Sequence, residues 1–409
     1  MRRAGPAADT LSRMARADID RRAMAALSSG HMAVDFAGGV LPALVPFLVT
    51  EWDLSYTYAG GLILASALAG SVVQPLFGFW SDRRGAVWLL PAGVAIGALG
   101  MGLAALSPSY WWVVLFVVVS GLGTAAYHPE GSKFAAYVSG AKRASGMSLF
   151  SIGGNLGYSL GVIVTTPVVV ALGIEGGALV VLPSLAVGVA LFWLVPFLLT
   201  FVPTREDSAR AAQGEDRVGA MILLLGVVTV RSVAWFGLIT FVPLWEISIG
   251  NSEGYGNFLL AIMLLAGAAG TLTAGPAADR FGRRPVLLVS NIVVPPAIAV
   301  FILAGGVASA ISLVVVGAAV VGTFGVTMVM SQEYLPRQIG MASGLVIGLS
   351  IGLGGVAAVL LGAIADSVDL ETALWVCAAA PVLGIVLTLL LPPSRSRALL
   401  APEVASPYG

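Results

Sequence analysis

The segment "GPAADRFGRR" at residues 275–284 has a counterpart, "GFWSDRRG", at residues 78–85. The two aspartates of these segments, Asp82 and Asp279, are 197 residues apart (279 − 82). A second pair of segments, "GMSLFSIGGNLG" at 146–157 and "GLVIGLSIGLGG" at 344–355, repeats with an offset of 198 residues (344 − 146). Two repeats with nearly the same offset indicate that the chain consists of two related halves.

The apolar sequence around these segments indicates the class of protein. Hydrophobic residues make up 58% of the 409 residues, charged residues make up 10%, and the mean hydropathy is +0.96. A soluble protein of ordinary composition has about 25% charged residues. The long uncharged stretches lack the alternation of apolar and polar residues that is typical of a membrane β-barrel. The sequence therefore predicts an all-α, multi-pass membrane protein.

We predict twelve transmembrane helices, six in each half. Their expected ranges are 25–50, 57–80, 86–106, 110–131, 143–172, 176–202, 218–245, 255–278, 285–305, 308–332, 338–365 and 370–392. The halves would span 25–202 and 218–393, with a charged linker at 203–217 and tails at 1–24 and 394–409. A parallel repeat of six helices is a transporter architecture, in which the substrate site lies between the halves near the membrane midplane.

The charged residues between the spans predict the orientation. Apart from Arg231, every Lys and Arg precedes the first span or follows an even-numbered span, whereas the other loops contain only acidic residues, such as Glu51, Asp53 and Glu175. The positive-inside rule makes the basic face cytoplasmic. We therefore expect both termini in the cytoplasm and the protein in the plasma (inner) membrane.

The repeated loop is interpreted as a cytoplasmic gate. Its glycines would allow close helix approach and a tight turn, while its aspartate and arginines would form a salt-bridge cluster that latches the two halves together. The expected gate residues are Gly275, Asp279, Arg280, Gly282, Arg283 and Arg284 in the second copy, and Gly78, Asp82, Arg83 and Gly85 in the first. The first copy has Ala86 and Val87 where the second has a basic pair.

Two acidic residues are expected at the same basic face. Glu130 and Glu333 lie at the cytoplasmic ends of the fourth and tenth spans, which correspond between the halves, and we expect them to pair with Arg83 and with the Arg280–Arg284 cluster, respectively. Proton binding is the alternative role for these carboxyl groups.

The loop motif and several further strings resemble one family over nearly the whole chain. The form G-x-x-x-D-R-x-G-R-R/K is the signature of the major facilitator superfamily. The strings "GHMAVD", "YHPEGSKFA", "SIGGNLGYSLG" and "SQEYLPRQIGMASGLVIGLSIGLGG" are similar to those of the fosmidomycin-resistance group of drug exporters within it. The resemblance implies a twelve-helix fold whose first and seventh helices line a central cavity.

Ionisable residues inside the predicted spans are candidates for the transport site, because such residues are costly in a membrane. His31 and Asp35 lie one helical turn apart. The repeat offset maps Asp35 onto position 232, next to Arg231. We therefore expect Asp35 and His31 to couple protons, and Asp35 and Arg231 to face each other, or an anionic substrate, across the cavity. The alternative for Asp35 and Arg231 is a buried ion pair that only fixes helix packing, and the alternative for His31 is a hydrogen bond to Asp35 without a role in proton coupling.

Two further features receive structural interpretations. Gly153, Gly157 and Gly161 form a small-residue face that is typical of helix packing. His128 precedes a proline, and we expect it to cap strained backbone.

These features predict a proton-coupled secondary transporter, most simply a drug-efflux antiporter. The alternative is an anion/proton symporter that imports a small organic acid or a phosphorylated metabolite. The sequence has no phosphate-cradling glycine loop and no cluster with metal-ligand spacing, so we expect no ATP, no metal and no cofactor. A membrane enzyme and a receptor without flux are the competing classes. The expected partners are the lipid bilayer, a small-molecule substrate and protons, without nucleic acid, and the expected state is a monomer.

Overall fold

The structure is a computed structural model that describes residues 18–74, 76–77, 86–139, 143–201, 215–335 and 339–392. The regular secondary structure of these ranges is helical. In the first half the helices are α1 (Arg21–Trp52), α2 (Tyr56–Ser71), α3 (Leu89–Ala105), α4 (Tyr110–Val138), α5 (Arg143–Leu172), α6 (Gly177–Val180) and α7 (Leu182–Leu198), with 3-10 turns at Ile174–Gly176 and Leu199–Phe201.

The second half is helical as well. Its helices are α8 (Val218–Ser248), α9 (Glu253–Phe281), α10 (Arg283–Ala304), α11 (Gly306–Gly322), α12 (Phe324–Tyr334), α13 (Ile339–Ser367) and α14 (Leu370–Leu390). Side-chain oxygens cap several N-termini: Asp20 accepts from the backbone N–H of Ala23, and Asp369 accepts from that of Thr372. Capping satisfies N–H groups that have no partner inside the helix.

The predicted spans are helical, but two of the described helices are shorter than a membrane crossing, and the predicted span 57–80 ends outside the described residues. Ten helical segments of the described ranges are long and apolar enough to cross a membrane. The predicted spans 57–80 and 86–106 correspond to Tyr56–Ser71 and Leu89–Ala105, of 16 and 17 residues, whereas a crossing helix needs roughly 20. Twelve crossings and cytoplasmic termini therefore stay predictions.

The apolar core divides toward one end of the bundle. We call the end with Glu51 and Asp53 the acidic end, and the end with Arg21 and Arg217 the basic end. Around the acidic end, one continuous cluster of buried apolar side chains joins both halves, from Ala37–Leu48 of α1 to Ala234–Leu244 of α8. Toward the basic end, the first half and the second half have separate clusters. The halves are thus packed together at the acidic end and divided at the basic end.

Polar contacts between the halves reinforce the closed acidic end. The carboxylate of Asp366 in α13 accepts hydrogen bonds from the backbone N–H groups of Tyr56 and Thr57, both 2.8 Å, and from the Thr57 hydroxyl, 2.5 Å. It thus caps helix α2 of the opposite half. The side-chain amide of Asn257 donates to the Ala43 carbonyl over 3.0 Å.

Candidate functional site

Helix α1 places His31 and Asp35 at the depth where the core divides. Residues of α1 up to Val34 belong to the core of the first half alone, and those from Ala37 onward belong to the shared core. Asp35 lies between the two sets. Its side chain keeps 21% of its surface exposed, whereas that of His31 keeps 10%. Asp35 therefore lies at the boundary between the core of the first half and the core that both halves share.

Asp35 is held by two histidines from different helices. One carboxylate oxygen lies 3.3 Å from Nε2 of His31, and the other lies 3.3 Å from Nε2 of His128 in α4. The two Nε2 atoms are 3.2 Å from each other. We call His31, Asp35 and His128 the histidine–aspartate cluster.

Backbone carbonyls and aromatic rings orient the histidines. Nδ1 of His31 lies 2.8 Å from the carbonyl of Phe150, and Nδ1 of His128 lies 2.9 Å from that of Thr124. The His31 ring stacks on the Phe150 ring with centroids 4.1 Å apart. Such hydrogen bonds fix which nitrogen of each ring faces its partners.

Gly154 of α5 leaves the space that the cluster occupies. A Cβ atom at this position would lie 2.5 Å from both Asp35 Oδ2 and His31 Nε2. The absence of a side chain is therefore a condition for the cluster geometry.

The structure corrects the expectation for His128. Its ring does bond a backbone carbonyl, as a capping role requires, but its Nε2 faces His31 and Asp35. Sequence reasoning missed this because His128 is 93 residues from Asp35 (128 − 35), and no local spacing links them. One signal was available: the chain has two histidines, and both lie within predicted spans.

In the part of the chain that the structure describes, Arg231 and Asp35 form no ion pair, so their facing each other across the cavity stays a prediction. The Nη2 group of Arg231 donates to the Val320 carbonyl over 2.6 Å and to the Thr323 hydroxyl over 2.5 Å, within its own half. Helix α11 ends at Gly322, so polar backbone and the Thr323 hydroxyl are available beside the guanidinium. Among the described residues, the buried Nη1 group has no hydrogen-bond partner.

Arg231 nevertheless occupies the pseudo-symmetric depth of Asp35. Residues of α8 up to Val228 belong to the core of the second half, and those from Ala234 belong to the shared core. The repeat therefore predicts the level of this residue in the bundle, although not its partner.

The gate residues of the second copy are described in part. Arg283 pairs with Glu333, as expected. Arg284 donates to the carbonyls of Thr388, 3.1 Å away, and Leu389 at the end of α14. The guanidinium of Arg280 lies 5.2 Å from the centroid of the Phe281 ring. These contacts join parts of the second half, so a latch between the halves stays a prediction.

The glycines of this loop differ from each other. Gly282 separates α9 from α10 at φ +91°, a conformation that L side chains rarely adopt, as the expected tight turn requires. At Gly275 nothing lies within 4 Å of where a Cβ would be, so the expected close helix approach is not observed at this residue.

Most of the remaining predicted gate residues lie outside the residues that the structure describes. Gly78, Asp82, Arg83 and Gly85, and the side chain of Asp279, lie outside the described residues. Glu130 pairs with Lys133 over 2.8 Å and is buried. Its expected pairing with Arg83 therefore stays untested.

The glycine face of α5 packs on α1, as predicted. A Cβ at Gly153, Gly157 or Gly161 would collide with the backbone carbonyl of Ser28, Met32 or Phe36, respectively. This close packing brings Phe150 and Gly154 to the cluster.

The cluster brings several proton-accepting atoms close together. Two imidazoles and a carboxylate place their nitrogen and oxygen atoms within 4.8 Å of one another. Basic nitrogens grouped around a carboxylate can hold a proton. No spacing along the chain indicates this grouping, because His128 joins His31 and Asp35 only in the folded chain. The expected absence of a metal stays a prediction.

A helical bundle that is closed at one end, with buried charges where its halves part, has the features of a membrane transporter. The chain belongs to the Major Facilitator Superfamily, whose sequence profile matches residues 27–256 and 223–406. Members of this family are transporters, so the chain is a multi-pass membrane transporter of small molecules and not an enzyme.

Two relatives match most of the chain. It is 33% identical over 377 residues to an uncharacterized MFS-type transporter, YfnC, of Bacillus subtilis, covering 88% of this chain and 90% of that protein. It is 30% identical over 384 residues to the fosmidomycin resistance protein of Escherichia coli, covering 91% and 93%.

Solved structures have the same fold. The inward open xylose transporter XylE of E. coli superposes with a TM-score of 0.74 at 14% identity, covering 91% of this chain and 96% of that one. A bacterial homolog of the lysosomal transporter Spinster, inward-facing and unoccupied, also gives 0.74, at 16% identity with coverage of 93% and 97%.

Proposed function

We propose that this protein is a proton-coupled exporter of a drug or another small molecule, acting as a monomer in the plasma membrane. Substrate would move by alternating access, with the proton gradient as the source of energy. The observation that carries the proposal is the placement of the histidine–aspartate cluster at the depth where the shared core divides.

Because of this placement, protonation of the cluster would change the balance between the conformations of the bundle. An inward-open and an outward-open state differ in the end of the bundle at which the two halves are packed together. A proton that binds the cluster more tightly in one state shifts the equilibrium toward that state. By positive-inside orientation, the divided basic end faces the cytoplasm, so the described conformation is open inward.

The contacts of Arg231 support the proposal that the substrate is anionic. Its Nη2 group bonds only to neutral acceptors, and its buried Nη1 group has no partner among the described residues. A buried cation without a counter-ion is costly, and an anionic group of the substrate would supply one. A phosphonate such as fosmidomycin meets this requirement, and one relative is named for resistance to it.

A second candidate function rests on the same two features, the histidine–aspartate cluster and Arg231. An anion/proton symporter would also need a buried cation for its substrate and a titratable cluster for its proton. The two candidates differ in the sign of coupling between substrate flux and proton flux, and therefore in the direction of transport.

A drug-susceptibility panel tests the exporter proposal. Cells that lack their own exporters and express this chain should survive higher concentrations of at least one drug, with fosmidomycin as the first probe. Asp35→Asn and Arg231→Gln should both reduce fosmidomycin resistance to the level of the empty vector. The matched control is Asp53→Asn, because Asp53 is exposed and at φ 49° asparagine is well tolerated.

Unchanged resistance in Asp35→Asn, at equal protein level in the membrane, would reject the role of the cluster. Unchanged resistance in Arg231→Gln alone would reject the anionic-substrate part of the proposal.

A further inference from the structure

The hydrogen bonds of the two histidines fix their tautomers. A backbone carbonyl accepts hydrogen bonds and cannot donate them. The carbonyls of Phe150 and Thr124 lie 2.8 and 2.9 Å from Nδ1 of His31 and His128, so each Nδ1 carries a hydrogen. In the neutral form, each ring then presents a bare lone pair at Nε2.

Those two lone pairs converge on each other and on a carboxylate. The Nε2 atoms are 3.2 Å apart, and each lies 3.3 Å from an oxygen of Asp35. Three acceptors without a hydrogen between them repel one another. A single added proton converts the Nε2–Nε2 contact into an N–H···N hydrogen bond beside an anion, which is an attractive arrangement.

We propose that the His31–His128 pair, rather than Asp35, holds the transported proton, with Asp35 remaining ionised as its counter-ion. This inference rests on the proposed proton coupling and assigns the proton to particular atoms. A proton from water forms an N–H bond at one Nε2 and takes the cluster from net charge −1 to 0. Breaking that bond on the other side of the membrane returns the proton to water.

Among the titratable groups around the cluster, His31, His128 and Asp35 are the ones placed to take up or release a proton. Helix α4 also contributes the phenol of Tyr127, which donates to the Leu27 carbonyl over 2.6 Å, and α5 contributes the phenol of Tyr158. Helices α3 and α7, which also pack on α1, contain no titratable residue. In α4, Glu130 is paired with Lys133. Arg231 is bonded within the second half.

The aromatic contacts keep the pair in this geometry. His31 lies between Phe150 and Tyr127, with ring centroids 4.1 and 6.2 Å away and both ring pairs stacked. The ring planes of His31 and His128 are nearly perpendicular, at 87°. An edge-on ring directs its Nε2 toward its neighbour, as a shared proton requires.

Nitrogen-15 NMR of protein labelled in histidine tests the proposal directly, because the chain has only these two histidines. The purified protein in lipid would be measured across a pH series without any substrate. We expect both Nδ1 atoms to be protonated throughout and a proton to appear at Nε2 on acidification, with the two Nε2 signals changing together. Tyr158→Phe is the matched control and should leave these signals unchanged.

Transport then separates this inference from the proposed function. His128→Gln should lose proton-driven transport while keeping substrate exchange down the substrate's own gradient. A neutral tautomer with hydrogen on Nε2 of either ring would overturn the inference, as would proton-driven transport that survives in His128→Gln and is lost in Asp35→Asn. A shared Nε2 proton in a wild-type protein without proton-driven transport would instead reject the proposed function and leave the assignment of the proton standing.

Discussion

At the scale of single residues, side-chain direction and the local backbone decide which polar atoms face each other. The repeat places Asp35 and Arg231 at equivalent depths, but the partners of Asp35 are His31 and His128, and Arg231 bonds to Val320 and Thr323. Partner choice follows side-chain direction and the local backbone, such as the end of α11 at Gly322. Spacing along the chain indicates neither the direction of a side chain nor the course of the local backbone.

Gly154 gives a prediction at this scale. In Gly154→Ala, the added methyl group would lie 2.5 Å from Asp35 Oδ2 and His31 Nε2, so the cluster must shift. We expect proton-coupled transport to fall by at least about tenfold, which corresponds to roughly 1.4 kcal/mol, while the amount of folded protein changes little. The control is Gly344→Ala, where nothing lies within 4 Å of the new atom. Wild-type coupling in Gly154→Ala would contradict the geometry proposed for the cluster.

At the scale of helices, the sequence was more informative. The face of Gly153, Gly157 and Gly161 predicts close packing, and the structure supplies its partner, the backbone of α1 at Ser28, Met32 and Phe36. Apolar runs place the helices well because a bilayer requires long uncharged segments. Full membrane length is less predictable: α2 and α3 have 16 and 17 residues, and the predicted span of α2 continues into residues outside the described ranges.

The packing of α5 on α1 is testable by stability. Gly157→Ala should lower the free energy of unfolding by about 1–3 kcal/mol, because its methyl group would overlap the Met32 carbonyl in a packed interface. Thermal unfolding of the purified protein in detergent measures this effect. Gly348→Ala in α13 has open space at the same atom and should be as stable as the wild type. Equal loss of stability in both variants would show that close packing is not the role of Gly157.

At the scale of the whole molecule, the two-half repeat predicts the architecture, and the structure shows at which end the two halves are packed together. The halves share one core at the acidic end, where Asp366 caps α2, and have separate cores at the basic end. No sequence pattern indicates which end is closed, because both states use the same residues. Asp35 and Arg231 lie at the level where the core divides, which is where the proposed proton binding would be coupled to a movement of the two halves.

The central claim is that proton movement through the histidine–aspartate cluster is coupled to substrate movement in the opposite direction. The measurement is the internal pH of proteoliposomes that contain the purified protein, with the membrane potential clamped and an outward gradient of a drug identified by the susceptibility panel. The sign of coupling does not depend on how the protein is oriented in the vesicle. We predict that outward drug flux acidifies the lumen of wild-type vesicles and leaves the pH unchanged in Asp35→Asn vesicles. Alkalinisation of the wild-type lumen would show symport, and drug flux without any pH change in the wild type would contradict proton coupling altogether.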